Sequence, residues 1–465
     1  MFESEYLLQL ETANATIVSK DQQITLLDAK VVSLEAKLAL VLDLLQKTSV
    51  KKDSHNSSLP PSTDLFTSKT KSLRPPSVLK SGGQLGHDGT TLKMSATPDV
   101  IHELKNNFCT HCRASLAEAD FILKAKRQVI EIPPIVPIYE EYRQYGCFCP
   151  HCRHEQIAQF PLGVNAPIQY GTTVETLISY LSVGQYVPFA RLQSLLVQVF
   201  SLPLSQGTIG NILEKTALKC QGVYEKIKTQ IAESQVVGSD ETGAKVNGDK
   251  WWIWVWQNVF YTFIVAAKSR GAETIANIWA DKLANVILVT DRWAAQLKDA
   301  KKGHQICLAH LLRNIIFLGE SEKHTFATQF KQLMLDVFSI RKQLIQLNNP
   351  YQIDQKEAKI IEKRLNDLLI IDIDKDKYPL TRTFQNSMIK YRNYLFPCLY
   401  NLDIPPDNNG SERAIRNIKV KQKVSGQFKS GQNAFCIIRS IIDTLRKKGV
   451  PVLLYLNQII KLQPE

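Results

Sequence analysis

A change of hydrophobic period near residue 235 constrains this chain more than any other feature. From Val164 to about Glu233 the apolar residues recur at helical spacing, and from Val236 onward they fall into strands. The first strand runs through Val236, Val237, Gly238 and Ser239 to Asp240. In the second, Trp252, Trp254 and Trp256 alternate with Trp251, Ile253 and Val255, the pattern of a strand packed on both faces. Tyr261 to Ala267 supplies a third strand after a turn short enough for antiparallel pairing. A helix predicted from Ala272 to Leu283 then leads to Val286–Thr290, which ends at Asp291. Another apolar strand ends near Ile306. The core is predicted to be α/β.

Three acidic residues mark the polar tips of this pattern. Asp240 and Asp291 end strands, and Glu412 lies at the start of a helix in Asp407-Asn408-Asn409-Gly410-Ser411-Glu412-Arg413. Carboxylates are the ligands that Mg²⁺ or Mn²⁺ prefers, because these hard cations take oxygen donors. Two such ions on one phosphodiester activate the attacking oxygen and steady the leaving oxygen. Each residue also has a plainer reading. Asp240 suits a turn, with Glu241 as a competing carboxylate on the opposite face of the strand. Asp291 suits a helix N-cap, and Asn409 to Glu412 has capping-box spacing.

Composition narrows the partner. The 465 residues carry a formal charge of +13, and the segment from Asp407 to Gly449 holds ten Lys/Arg against three Asp/Glu. Nucleic acid is the expected acidic partner. Arg413 follows Glu412 directly, and Arg416, Lys419 and Lys423 follow it at helical steps, so a persisting helix would place phosphate-binding cations beside the glutamate. The start is acidic at Glu3 and Glu5, which does not suit a signal peptide, and no apolar run of membrane-spanning length occurs. A cytoplasmic location is expected, with no membrane partner. Nine cysteines, four of them in Cys-x-x-Cys pairs, point to metal ligands in a reducing compartment.

The rest of the chain falls into segments. Residues 1–47 read as a coiled coil, because Ile24, Leu27, Val31, Leu34, Leu38, Val41 and Leu45 alternate three and four apart. Polar Lys20 interrupts the pattern upstream. Self-association through this seam is expected. Residues 48–100 are rich in Ser, Pro and Gly and read as a flexible linker. Residues 101–163 hold Cys109, Cys112, Cys149 and Cys152, two pairs suited to tetrahedral Zn²⁺, around a strand-like stretch from Arg127 to Tyr142. Cys147, His111, His151 and His154 are alternative ligands. Residues 164–233 resemble a helix-turn-helix, with Thr208, Asn211 and Lys215 able to face DNA and Ile209, Ile212 and Leu213 equally able to pack a core. Residues 234–318 form the first part of the core, 319–404 a helical insertion, and 405–465 the second part with the Glu412 helix. Cys307-x-x-His310 suits a packed Cys and a structural His, or a support for the acidic site.

Several stretches together resemble the insertion sequence 66 family of transposases. Asp407 to Arg416 is similar to the family's "DNN..ER..R" signature, and Ser239-Asp240-Glu241-Thr242-Gly243 to its first-aspartate motif. Asn165 to Gly171 resembles an "aPvqYG" element, and Asn56 to Ser62 and Gly82 to His87 resemble its linker motifs. The resemblance implies a multidomain α/β protein whose ribonuclease H-like catalytic core is split by a helical insertion. It also implies catalytic Asp240, Asp291 and Glu412 around Mg²⁺ (or Mn²⁺), a zinc-binding domain, and terminal inverted repeats and target DNA as partners. Small accessory proteins encoded by the same element are further possible partners. Where the family usually has a Gly-Tyr-like pair after the second aspartate, this chain has Arg292-Trp293. The implied function is DNA cleavage and strand transfer. A non-catalytic DNA-binding derivative and a structure-selective nuclease with the same core are the alternatives.

Overall fold

The computed structural model describes residues 2–50, 52–53, 55–57, 92–292, 294–299, 302–346 and 355–462. Its contacts divide the chain into a larger unit, 1–72 with 142–192 and 205–465, and a smaller one, 73–141 with 193–204.

The larger unit begins with one helix, α1 (Phe2–Ser49). Ile24, Leu27, Val31, Leu34, Leu38 and Val41 lie exposed along it, and Lys20 does not interrupt the backbone. Much of the expected linker, including Gly82 to His87, lies outside the described residues. Its beginning is seated on the protein rather than free: Asn56 donates through Nδ2 to Glu320 at 2.8 Å, and the Lys52 ammonium stands 5.2 Å from the Phe317 ring. A short hairpin, β1 (Gly146–Phe148) and β2 (Glu155–Ile157), pairs antiparallel.

In the smaller unit, the stretch after Arg127 forms no strand, contrary to the expectation from its β-branched residues. Pro133, Pro134 and Pro137 remove three backbone donors from it, which leaves no continuous row for a ladder.

Helix α2 (Thr172–Ser179) runs directly into a π-helical turn at Tyr180–Gly184, followed by α3 (Phe189–Phe200) and α4 (Gln206–Ala232). Ser205 caps α4 by accepting the Thr208 N–H at 3.0 Å. The 27-residue α4 buries Ile209, Ile212, Leu213, Tyr224 and Ile231. Of the two readings left open for this segment, the packed helix describes α4.

The sheet contains β3 (Val236–Val246), β4 (Asp249–Gln257), β5 (Thr262–Ala267), β6 (Ile287–Thr290) and β7 (Gly303–Ile306). Its order is β5-β4-β3-β6-β7; the first three strands are antiparallel neighbours, and β6 and β7 run parallel to β3. Asn247 and Gly248 both take positive φ, the two-residue turn that matches strand twist between β3 and β4. Helix α5 (Ala272–Trp279) crosses from β5 to β6 and stops short of the predicted Leu283, since Ala280 leaves helical geometry at φ 49°. Trp254 and Trp256 stack at 5.5 Å, and Trp279 of α5 and Phe263 of β5 close around Trp256.

A short helix α6 (Ala294–Asp299) follows Asp291, and α7 (Leu308–Ser321) follows β7. The insertion comprises α8 (Thr325–Gln346), α9 (Gln355–Leu369), α10 (Pro379–Lys390), a 3₁₀ turn at Arg392–Tyr394 and α11 (Pro397–Tyr400). Phe326, Phe330, Leu333 and Met334 share one apolar cluster with Val289 of β6 and Ile306 of β7, so the insertion is built onto the sheet's own core. Buried Gln305 fastens it there: its amide donates to the Leu395 carbonyl at 2.9 Å and accepts the Cys398 N–H at 3.0 Å.

The chain ends with α12 (Asn409–Ser425), α13 (Gln432–Lys447) and α14 (Val452–Lys461). Helix α13 covers the open edge of β5, where Ser440 and Thr444 hydroxyls accept the Ile264 and Thr262 N–H groups. The start of α12 approaches β3 closely. A Cβ added at Gly238 would lie 2.6 Å from Gln257 Nε2, 2.7 Å from Asn408 Oδ1 and 2.9 Å from Ser411 Oγ. Gly238→Ala is therefore expected to lower stability by about 1–3 kcal/mol. Urea unfolding would measure it, and an unchanged midpoint would show that α12 yields without cost.

Candidate active site

Gly238 of β3 pairs with Val289 of β6, the last pair of that parallel register. Asp240 follows Gly238 by two residues on β3, and Asp291 follows the end of β6 at Thr290. The two carboxylates are near enough for Asp291 to act on the titration of Asp240. Asp240 also pairs with Val255, so its side chain shares a face with Val255, whereas Glu241 shares the other face with Trp254. Glu241 is engaged there: it forms an ion pair with Arg270 at 2.5 Å and accepts the Gln296 amide at 2.8 Å. The competition between the two carboxylates is resolved by the pleat.

Helix α12 brings in Glu412 through its N-terminal tether. Asn408 donates through Nδ2 to the Ser239 carbonyl at 2.7 Å, one residue before Asp240, and accepts from Ser411 Oγ at 2.7 Å. Its own N–H donates to the Cys307 sulfur at 3.2 Å. The capping box expected from Asn409 to Glu412 does not form; Asp407 accepts the Asn409 N–H at 3.0 Å instead. Glu412 turns toward α7, where its Oε1 lies 3.6 Å from both His310 Nε2 and Arg313 Nη1.

These neighbours shape the electrostatics. Burial, with Glu241, Asp291 and Glu412 nearby, pushes the Asp240 carboxyl well above the ordinary carboxylate range. Burial holds His310 below its usual value, against the pull of Glu412. Glu412 Oε1 and His310 Nδ1 are buried without a hydrogen-bond partner. Among the described residues, Cys307, His310 and Glu412 form the group whose ligand atoms lie within 4.8 Å of one another. Asp240, Asp291 and Glu412 do not form such a group. Glu412 thus stands near the aspartates electrostatically while its carboxylate faces α7.

The expected basic row is on one helix, because α12 persists to Ser425. Arg413, Arg416, Lys419 and Lys423 are exposed, but Lys419 also donates to the Gly243 carbonyl at 3.1 Å, which ties this row to β3. Arg292, in the position that departs from the family pattern, points into the insertion, donating to Ser387 at 3.0 Å above the Phe384 ring. Trp293 lies outside the described residues.

The cysteine pairs make two turns of the same construction. Arg113 donates its N–H to the Cys109 carbonyl and Arg153 to the Cys149 carbonyl, both at 2.9 Å, and both arginines take φ near 62°. Cys109 with Cys112 belongs to the smaller unit, and Cys149 with Cys152 to the larger.

A sequence model of the Transposase IS66 family matches residues 167–435, a span that contains Asp240, Asp291 and Glu412. The chain belongs to this family. A comparison with curated proteins gave no match. Membership makes DNA the molecule on which this transposase acts, in keeping with the basic row of α12. No described helix is long and apolar enough to cross a membrane.

Three supporting residues of the transposase had little signal of their own in the sequence. Gln257 and Gly238 seat α12 together with Asn408 of the signature, and Arg313 meets Glu412 one helical turn beyond His310. The Glu412 carboxylate, at ion-pair distance from His310 and Arg313, and the carboxylates crowded around Asp240 are oxygen donors of the kind Mg²⁺ or Mn²⁺ takes. The raised Asp240 value carries a sign for stability. Between the unfolded and folded values the native state binds more protons than the unfolded chain, so stability falls as pH rises through that window. Asp240→Asn is expected to raise the melting temperature of the metal-free protein by a few degrees at pH 7 and to flatten its pH dependence above pH 4. Calorimetry across pH checks this; a lower melting temperature at pH 7 would count against it.

Proposed function

We propose that this transposase cuts the ends of an insertion sequence and joins the freed 3′-hydroxyls to target DNA. One observation carries the reading: Asp240 lies close enough to Asp291 and Glu412 for both to raise its carboxyl, and Asn408 ties the Glu412 helix to the strand that carries Asp240. The strand order and directions support a ribonuclease H-like core, three antiparallel strands followed by two parallel ones on the other side of the first. Asp240, Asp291 and Glu412 would hold Mg²⁺ (or Mn²⁺), which supplies Lewis-acid activation of the attacking and leaving oxygens when bound. The protein's own contribution is placement. Asn408 holds the start of α12 at β3, and the α12 cations take DNA phosphates without reading sequence. Arg313 and His310 hold Glu412 on the α7 side, from which a side-chain rotation turns it toward the aspartates.

The cysteine pairs are proposed to hold zinc on the chemistry of their thiolates and their matching turns. The exposed apolar seam of α1 supports self-association, with accessory proteins of the element as possible further partners. A non-catalytic DNA-binding role is favoured by one observation, that the three carboxylates do not gather within 4.8 Å.

Purified protein with a donor DNA carrying the element's ends distinguishes these readings. Asp240→Ala, Asp291→Ala and Glu412→Ala should each abolish Mg²⁺-supported strand transfer while retaining end binding in a gel-shift assay. Normal joining by any of the three would sink the proposal. Cleavage without joining by the unaltered chain would mark a nuclease. Cys109→Ser and Cys149→Ser should each lower zinc content in elemental analysis, and unchanged zinc in both would remove the metal from these cysteines.

A further inference from the structure

Trp254, Trp256 and Trp279 are sealed in the core, at no more than 1 % exposure, whereas Trp251 and Trp252 are only partly covered. The register explains the difference. Trp252 lies between Gly243 on β3 and Ala267 on β5, so neither cross-strand neighbour has the bulk to cover its ring. A Cβ built on Gly243 meets no atom within 4 Å, which leaves open space beside the indole. Two cations stand at the same ring: Lys250 Nζ at 5.2 Å from the centroid and Arg270 Cζ at 5.0 Å. Arg270 is held in place by Glu241, the residue after Asp240. From the other side, Lys419 of the α12 row bonds the Gly243 carbonyl.

We propose that Trp252, Lys250 and Arg270 form a stacking site for an unpaired nucleobase of the DNA substrate, with its phosphate on the two cations. The inference rests on DNA being the substrate, and goes beyond the α12 row by naming a contact to a base. An indole with one open side takes any flat base, because every base presents a π face, and the adjacent cations meet the negative charge attached to it. A fully paired duplex keeps its base faces inside the stack and gains nothing from the ring. The site therefore selects single-stranded or frayed DNA, without a preference for one base, on the face of the sheet that carries Glu241.

Fluorescence anisotropy of the full chain with labelled oligothymidylate tests this, with a fully paired duplex of equal length as reference. Trp252→Ala is expected to weaken oligothymidylate binding by about tenfold and duplex binding by less than about twofold. Trp252→Phe should recover most of the loss. Gly243→Val adds bulk to the open space without changing charge, and its Cβ meets no atom within 4 Å, so it should fold normally and also lose oligothymidylate binding. Binding at the wild-type level by folded Trp252→Ala or by Gly243→Val would overturn the proposal, as would equal losses on both DNAs. Should Trp252→Ala fail to fold, Gly243→Val decides. Oligothymidylate binding is read on the unaltered chain without Mg²⁺ and apart from strand transfer, so failure of one reading is distinguishable from failure of the other.

Discussion

The hydrogen bond from the Asn408 side chain to the Ser239 carbonyl is the contact on which the arrangement of the acidic site depends. It joins residues 169 positions apart and sets the first turn of α12 against the strand that carries Asp240. The approach is close enough to require a glycine at 238, where any side chain would strike Gln257, Asn408 and Ser411. Gln257 is itself held from behind by Lys447, whose ammonium donates to Gln257 Oε1 and to the carbonyls of Asn258 and Tyr261. Burial lowers the Lys447 ammonium to about 8, a cost offset by these three acceptors. The helix is thus fixed by a chain of polar contacts that crosses β3 and β4 and ends on α13.

That rigidity bears on the charge problem. Buried carboxylates repel one another, and among the described residues no lysine or arginine pairs with Asp240, whereas Glu241 on the opposite face has Arg270. A site that kept its anions neutralised by its own cations would gain stability and lose affinity for a divalent ion. Here the paired carboxylate faces away from the site, and the one facing into it carries a strained proton balance. Glu412 is placed by α12, and its carboxylate is turned toward His310 and Arg313.

How much of this was legible in the sequence depended on range. The strands were readable because tryptophan and aliphatic alternation reports two-sided packing directly, and the strand-end position of Asp291 followed from the same pattern. The family signature located Glu412 on its helix. The capping-box reading of that glutamate failed because a local spacing rule competes with tertiary partners, and His310 and Arg313 from α7 outweighed Asn409. Asn408, Gln257 and Lys447 carried no periodic signal; their roles arise only when β4, α12 and α13 meet. The stretch after Arg127 misled for the converse reason, since its β-branched residues have strand propensity but its prolines interrupt the donor row.

The insertion follows from the same logic of support. It does not hang from the core as a separate body: Gln305 binds it to β7, and Val289 and Ile306 lie in its apolar cluster. Arg292 extends this link from the residue next to Asp291, reaching Ser387 and the Phe384 ring of α10. Arg292, the residue after Asp291, is thus tied to the insertion. A displacement of α10 would be felt at Asp291 through a single side chain, which makes the insertion a structural neighbour of the acidic centre despite its distance in sequence.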